Sequence, residues 1–315
     1  MTQPASGNVA ALQLMAVAVC AGALLARARA RALETTALNN VASAYWTIVE
    51  RREKESKQDT KDESFPAHIV PDPCLEPDNE NLAKLGLKPN HCWTDVDIKK
   101  HPERKRKLVL LVRHAEAIHN VAEKAVGKKV WNETEGLKEK YLDAPLNDTG
   151  RAQAAALAEA VKDAIQNKGL HIDAIVLSPL ARALETAHIG LASVWENVPK
   201  VAVEHCRERF GICLSEKRRQ ASVMAADYPG VDFSRMLVSD HDSWHRDDYR
   251  ETPADIERRV HTFFDWLINE TPWDHVAVVT HSDYIAHALQ ALGAPWHWPA
   301  NGELVPVVVE ANISN

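Results

Sequence analysis

Three places in the sequence set chemically capable side chains directly after an apolar run. Arg113-His114 follows residues 108–112, Ser178-Pro179 follows 175–177 with Arg182 just beyond, and Thr280-His281-Ser282 follows 276–279. In open α/β sheets, ligand sites gather at the carboxyl ends of strands. One histidine in such a place is usually a hydrogen-bonded structural residue. Two histidines with two arginines are different, because the cluster is costly to assemble unless an anion neutralises it. Guanidinium forks match the oxygens of a phosphate, and a neutral imidazole is a competent nucleophile. The combination points to phosphoryl chemistry.

These groups need a frame that buries the runs before them. Continuous β-branched stretches at 108–112, 172–177, 201–204, 276–280 and 304–310 alternate with helical patterns over 150–167, 180–195, 253–269 and 284–292. The alternation predicts an α/β fold of three layers, a mostly parallel central sheet with helices on both faces. Asn147 or Asp148 can cap the first helix, and Gly169 suits the left-handed position past its end. No internal repeat is visible.

The string VRHAEAIHN resembles the signature of the histidine phosphatase superfamily, which includes the cofactor-dependent phosphoglycerate mutases. The resemblance continues in LDAPLNDTGRAQA, SPLARALETA, CRERFG and VVTHSDYIAHAL, in that order, across about two thirds of the chain. The segment CRERFGICLSEKRR, with YPGVDFS and DHDSWHRDDYRE, is also similar to phosphoglycerate mutase-like proteins of plants, algae, fungi and oomycetes. The resemblance implies a phosphoglycerate mutase-like fold and a metal-independent phosphomonoesterase. His114 would take the phosphoryl group. Arg113, Arg182, His281 and Asn120 would hold it, and Glu208 would be the general acid, with its pKa raised for the task. Glu116 and Asp283 are substitutes for that acid, and Asn120 has a second reading as a helix cap. Ala115 stands where many members have Gly, and Ser282-Asp283 where the mutases have Gly-Gly. Residues 120–142 lack the mutase pattern, so hydrolysis is expected ahead of mutase-type phosphoryl transfer. A non-catalytic phosphate-binding module is a third reading.

A net charge of −7 over 315 residues gives no basic field for nucleic acid, which favours a small phosphorylated substrate or a phosphoprotein. No cofactor and no metal are expected. His241, Asp242, His245, Asp247 and Asp248 fit no zinc or calcium spacing and read as a solvated lid or specificity loop, and Lys217-Arg218-Arg219 reads as a solvated face or a second phosphate contact. Residues 1–33 contain no Asp or Glu and hold an apolar run at 9–26 followed by Arg27, Arg29 and Arg31. Cleaved signal, membrane anchor with membrane association through 9–26, and organelle transit peptide all stay open; without such targeting the protein would be cytoplasmic. Residues 34–106 form a charged, Pro-rich extension, and the catalytic domain is expected over 107–315. Cys74, Cys92, Cys206 and Cys213 suit either disulfides in an oxidising compartment or free thiols in a reducing one.

Overall fold

A computed structural model describes residues 67–70, 104–234 and 239–312. Its seven strands are β1 (Ala67–Val70), β2 (Arg104–Arg113), β3 (Ala174–Leu177), β4 (Lys200–Ala202), β5 (Val231–Asp232), β6 (His275–Thr280) and β7 (Leu304–Asn312). They form one sheet in the order β1-β7-β2-β6-β3-β4-β5. The five strands from β2 to β5 in that order are mutually parallel, while β7 pairs antiparallel with β2 and β1 pairs antiparallel with β7 at the outer edge. The expected mostly parallel α/β sheet is therefore the observed one.

The helices are α1 (Ile118–Val126), α2 (Lys128–Glu133), α3 (Asp148–Lys168), α4 (Ala181–Gly190), α5 (Ala192–Trp195), α6 (Ala221–Asp227), α7 (Pro253–Glu270) and α8 (Ser282–Ala291). Side chains alternate across the pleat, and β2 shows it clearly. Leu108, Leu110 and Val112 join Leu157 and Val161 of α3 and Leu184 and Ala187 of α4 in one core. Val109 and Leu111 join Ile256, Phe263 and Phe264 of α7 and Ile285 and Leu289 of α8 in the other. A strand covered on both faces has no polar side, which is why these runs read as unbroken apolar stretches.

Local signals account for most element ends. Asn147 Oδ1 accepts from Gly150 N at 2.7 Å to open α3, and Gly169, at φ 73°, closes it. Thr252 and Asp255 form a capping box at α7 with Pro253 in its first turn. Where the expectation was one helix over 180–195, the structure breaks at Leu191, whose side chain is fully buried in the core. The predicted strand at 201–204 ends at Ala202 and turns into a 3-10 turn, Glu204–Cys206. Strands β1 and β5 were not expected. β1 is a short segment of the Pro-rich extension that pairs at the sheet edge, where proline neighbours are tolerated. The apolar run at 9–26 lies outside the described residues, as do Cys74 and Cys92; Cys206 and Cys213 are buried free thiols. Among the described residues no helix is long and apolar enough to cross a membrane.

Register fixes the site. Arg113 pairs with Thr280 and Leu177 with Val279, so the chain leaves β2, β6 and β3 at one level. Neighbouring strands lie about 4.8 Å apart, and His114, His281 and Ser178 are consequently side by side. The start of α3 is pressed against the segment after His114. Asn147 N donates to Glu116 O at 3.1 Å, and a Cβ on Gly150 would come within 2.0 Å of that same oxygen. Gly150→Ala therefore opposes two effects: helix propensity favours alanine by about 1 kcal/mol, while the clash costs about 1–3 kcal/mol or more. We expect net destabilisation in urea unfolding; a variant as stable as the parent would refute the close approach.

Candidate active site

His114 is the first residue past β2, and its amide donates to Thr280 O at 2.9 Å, which carries the strand pairing one residue further. Its ring is buried. Nδ1 lies 2.7 Å from Ala115 O and so holds the ring proton, leaving Nε2 as the lone-pair nitrogen. Arg182 Nε donates to Nε2 at 3.2 Å. Burial, and then the charges of Arg182 and Arg113, hold the His114 pKa well below the usual imidazole range. The ring is thus neutral, which a nucleophile requires.

Around it is an anion cradle. Arg182, in the first turn of α4, is fully buried; Nη1 donates to Ser215 O at 2.7 Å, while Nη2 has no partner. Arg113 Nη1 donates to Pro299 O at 2.8 Å, and its buried Nε is also without one. Both guanidiniums keep a donor for a ligand oxygen. His281 Nε2 is 2.7 Å from Ser178 Oγ, and its ring centroid is 5.0 Å from that of His114. Burial, followed by the charge of Arg182, holds the pKa of His281 well below the ordinary range too.

Glu208 stands opposite. Its Oε1 accepts from Arg209 N at 3.0 Å, and Oε2 is 3.8 Å from His281 Nδ1. Burial, and then the nearby carboxylate of Asp283, push its pKa up to about 7. The residues on either side do not neutralise it. Arg207 turns away to Glu204 at 2.9 Å and Asp242 at 2.7 Å, and Arg209 Nε donates to Glu251 O at 2.6 Å. Arg259, clamped by Glu251, donates to the carbonyls of His205 and Arg207 at 2.7 and 3.1 Å, and Thr280 Oγ1 donates to Cys206 O at 2.6 Å. The Glu208 loop is thereby bolted to α7 and to the end of β6.

A cavity of about 530 Å³ opens over these groups, bordered by Arg113, His119, Asn120, Arg182, Glu208 and Asp283 among others. His114 and His281 are buried and are not among the residues that line it. The ligand atoms of His114, Glu208 and His281 fall within 4.8 Å of one another, a triad that could hold a metal ion. Arg113 and Arg182 bring two positive charges to the same point, however, and suit it to an anion.

The remaining sequence candidates are placed as follows. Asn120 lines the cavity and also caps α1: its Oδ1 accepts from Ala117 N at 2.9 Å and its Nδ2 is 3.1 Å from His119 Nε2. Glu116 accepts from Asn147 Nδ2 at 2.8 Å, and Asp283 is 3.4 Å from His287 Nε2, so both are engaged elsewhere. Two expectations are corrected. Asp242 is no solvated lid residue but a buried partner of Arg207, and it also accepts from the amides of Arg218, Trp244 and His245. Arg218 is neither a solvated face nor a phosphate contact; it is buried against Glu204 at 2.6 Å and four backbone carbonyls.

Sequence reasoning passed over two residues, His119 and Asp143, and singled out Ser178 without giving it a role. His119 is buried at the cavity with Nδ1 unpartnered, its ring 5.9 Å from that of His114. Its position in the first turn after a candidate nucleophile was the available signal. Ser178 orients His281. Asp143, at φ 45°, accepts from Ala181 N at 2.8 Å and from Arg219 at 3.0 Å, and so anchors the helix start that carries Arg182.

The model of the histidine phosphatase superfamily (branch 1) matches residues 109–304. Phosphoglycerate mutase-like protein 1 of Arabidopsis thaliana is 31% identical over 232 residues, covering 65% of this chain and 78% of its own. Phosphomutase-like protein 3 of Candida albicans is 27% identical over 243 residues, 75% of each chain. Among solved structures, a phosphoglycerate mutase from Bacillus anthracis aligns with a TM-score of 0.44 at 19% identity, over 68% of this chain and 94% of that one. The family match spans His114, Arg182, Glu208 and His281, and the chain belongs to the histidine phosphatase superfamily.

Proposed function

We propose that the protein is a metal-independent phosphomonoester hydrolase that works through a phosphohistidine on His114. The observation that carries this reading is the pairing of a tautomer-fixed, neutral His114 with a carboxyl group held near neutrality across one anion cradle. An arriving phosphoryl group exchanges with the Arg182–His114 hydrogen bond, and its oxygens take up the spare donors of Arg113 and Arg182. His114 Nε2 attacks phosphorus while the ester P–O bond breaks, and Glu208 gives its proton to the leaving alkoxide. Water then attacks the phosphohistidine, Glu208 takes back a proton, and His114 departs neutral with release of phosphate. The guanidiniums and His281 stabilise the equatorial oxygens in both steps, which is the role a metal ion would otherwise have. Hydrolysis rather than transfer to a second hydroxyl is favoured by Ser282-Asp283 standing where the mutases have Gly-Gly and by residues 120–142, which lack the mutase pattern.

His114→Ala should abolish phosphate release from p-nitrophenyl phosphate, and parent activity should survive a chelator. Acid-labile, base-stable label on the parent after rapid quench with a ³²P-ester would identify phosphohistidine, and label on the alanine variant would contradict the assignment. A bisphosphoglycerate-dependent mutase assay separates the transfer reading, and anion binding without turnover separates the binding module.

The pH dependence follows from the two shifts. Glu208 must be protonated to act as acid and is so below about pH 7, whereas His114 must be neutral and stays so well into the acid range. We expect kcat/KM to fall as pH rises through about 7. Glu208→Gln should lower kcat/KM for glycerol phosphate by about 10²–10⁴-fold and for p-nitrophenyl phosphate far less, because nitrophenolate leaves without a proton. Equal losses on both esters would remove Glu208 from the acid role.

The apolar run at 9–26 supports a further proposal, a membrane or secretory targeting segment. A fluorescent fusion of the full chain should segregate to membranes or an organelle and one of residues 34–315 should not; identical diffuse distributions would end that reading.

A further inference from the structure

The turn between α8 and β7 carries two tryptophans that the chemistry above does not use. Trp296 and Trp298 are 50% and 52% exposed, the largest exposure of any tryptophan among the described residues. Single exposed apolar side chains need no explanation, but two adjacent half-exposed indoles do. Their ring planes lie within 29° of each other with centroids 6.3 Å apart. They are held in place. The Trp296 ring packs edge-to-face on His287 at 5.2 Å, and His287 in turn faces Asp283 on the cavity wall. Behind Trp298, Arg113 donates to Pro299 O at 2.8 Å, Asn301 Nδ2 donates to His114 O at 3.2 Å, and Glu303 binds His297 and Ala300 N. Trp298 itself borders the cavity that contains Arg113 and Arg182. A phosphoryl group seated on those arginines would hold its alcohol in the same cavity that Trp298 lines.

We propose that Trp298, backed by Trp296, is a stacking platform for the leaving group, and that the preferred substrates are phosphomonoesters whose alcohol carries a planar aromatic ring, as in aryl phosphates and nucleoside monophosphates. The proposal rests on the phosphatase reading. A rigid indole has few rotamers to lose on binding, and its face is favourable for any π system. The platform sets which ester is bound, not how the P–O bond breaks.

The test compares kcat/KM for phenyl phosphate, a nucleoside 5′-monophosphate, glucose 6-phosphate and glycerol phosphate in the full chain, Trp298→Ala and Trp298→Phe, with circular dichroism to verify folding. The ratio of a ring ester to glycerol phosphate should fall about tenfold or more in the alanine variant and recover in large part with phenylalanine. Whether the phenyl or the nucleoside ester shows the larger fall identifies the source of the ring. An unchanged ratio, or a loss confined to glucose 6-phosphate, would overturn the aromatic assignment. If no ester is hydrolysed, quenching of tryptophan fluorescence by the nucleoside monophosphate decides separately. Quenching lost in Trp298→Ala would keep the platform while the hydrolase reading falls, and no quenching would remove both.

Discussion

The structure is organised around a cluster of buried basic side chains. Arg113, Arg182, His114, His119 and His281 converge at the ends of three strands; burial opposes every one of those charges, and repulsion from Arg182 adds to it at the three histidines. The protein resolves the conflict in two ways. The histidines stay neutral, and the guanidiniums, which cannot lose their protons, rest on backbone carbonyls and on His114 Nε2. What is left over is an unpartnered Nη2 on Arg182 and an unpartnered Nε on Arg113, donors waiting for oxygen.

The same electrostatics separates the two proton-handling groups. His114 is held deprotonated by burial and then by the arginines, whereas Glu208, buried and beside Asp283, is pushed towards the protonated form although Arg182 pulls the other way. Environments that drive a base and an acid in opposite directions produce an acid–nucleophile pair usable at one pH. Maintaining Glu208 in that state depends on its neighbours being bound elsewhere. The Glu204–Arg207–Asp242 chain, Arg218 on Glu204 and Arg259 on Glu251 consume the nearby guanidiniums. Had Arg207 turned inward, Glu208 would be an ordinary ionised carboxylate in a salt bridge.

Much of this was legible in the residues. The apolar runs of β2, β3 and β6, the capped α3 and the boxed start of α7 follow from periodicity and cap chemistry, which are local. The short strands β1 and β5 were not, because four and two residues carry too little pattern and owe their pairing to the neighbouring edge. The run Lys217-Arg218-Arg219 and the acidic, histidine-containing stretch after it looked solvated, since composition does not reveal that Arg218 and Asp242 face inward and satisfy Glu204 and Arg207.

The sequence by itself determined the fold class and the family, and it nominated the groups proposed to handle phosphate, because those rest on side-chain chemistry and on the order of blocks along the chain. Only the tertiary structure decided which nitrogen of His114 is free, that Asp143 caps the helix bearing Arg182, that His119 joins the pocket, and that two indoles stand at its rim. Each of these is a relation between residues far apart in sequence or a choice between two faces of one side chain. Both are set by strand register and packing, which leave no signature in local composition.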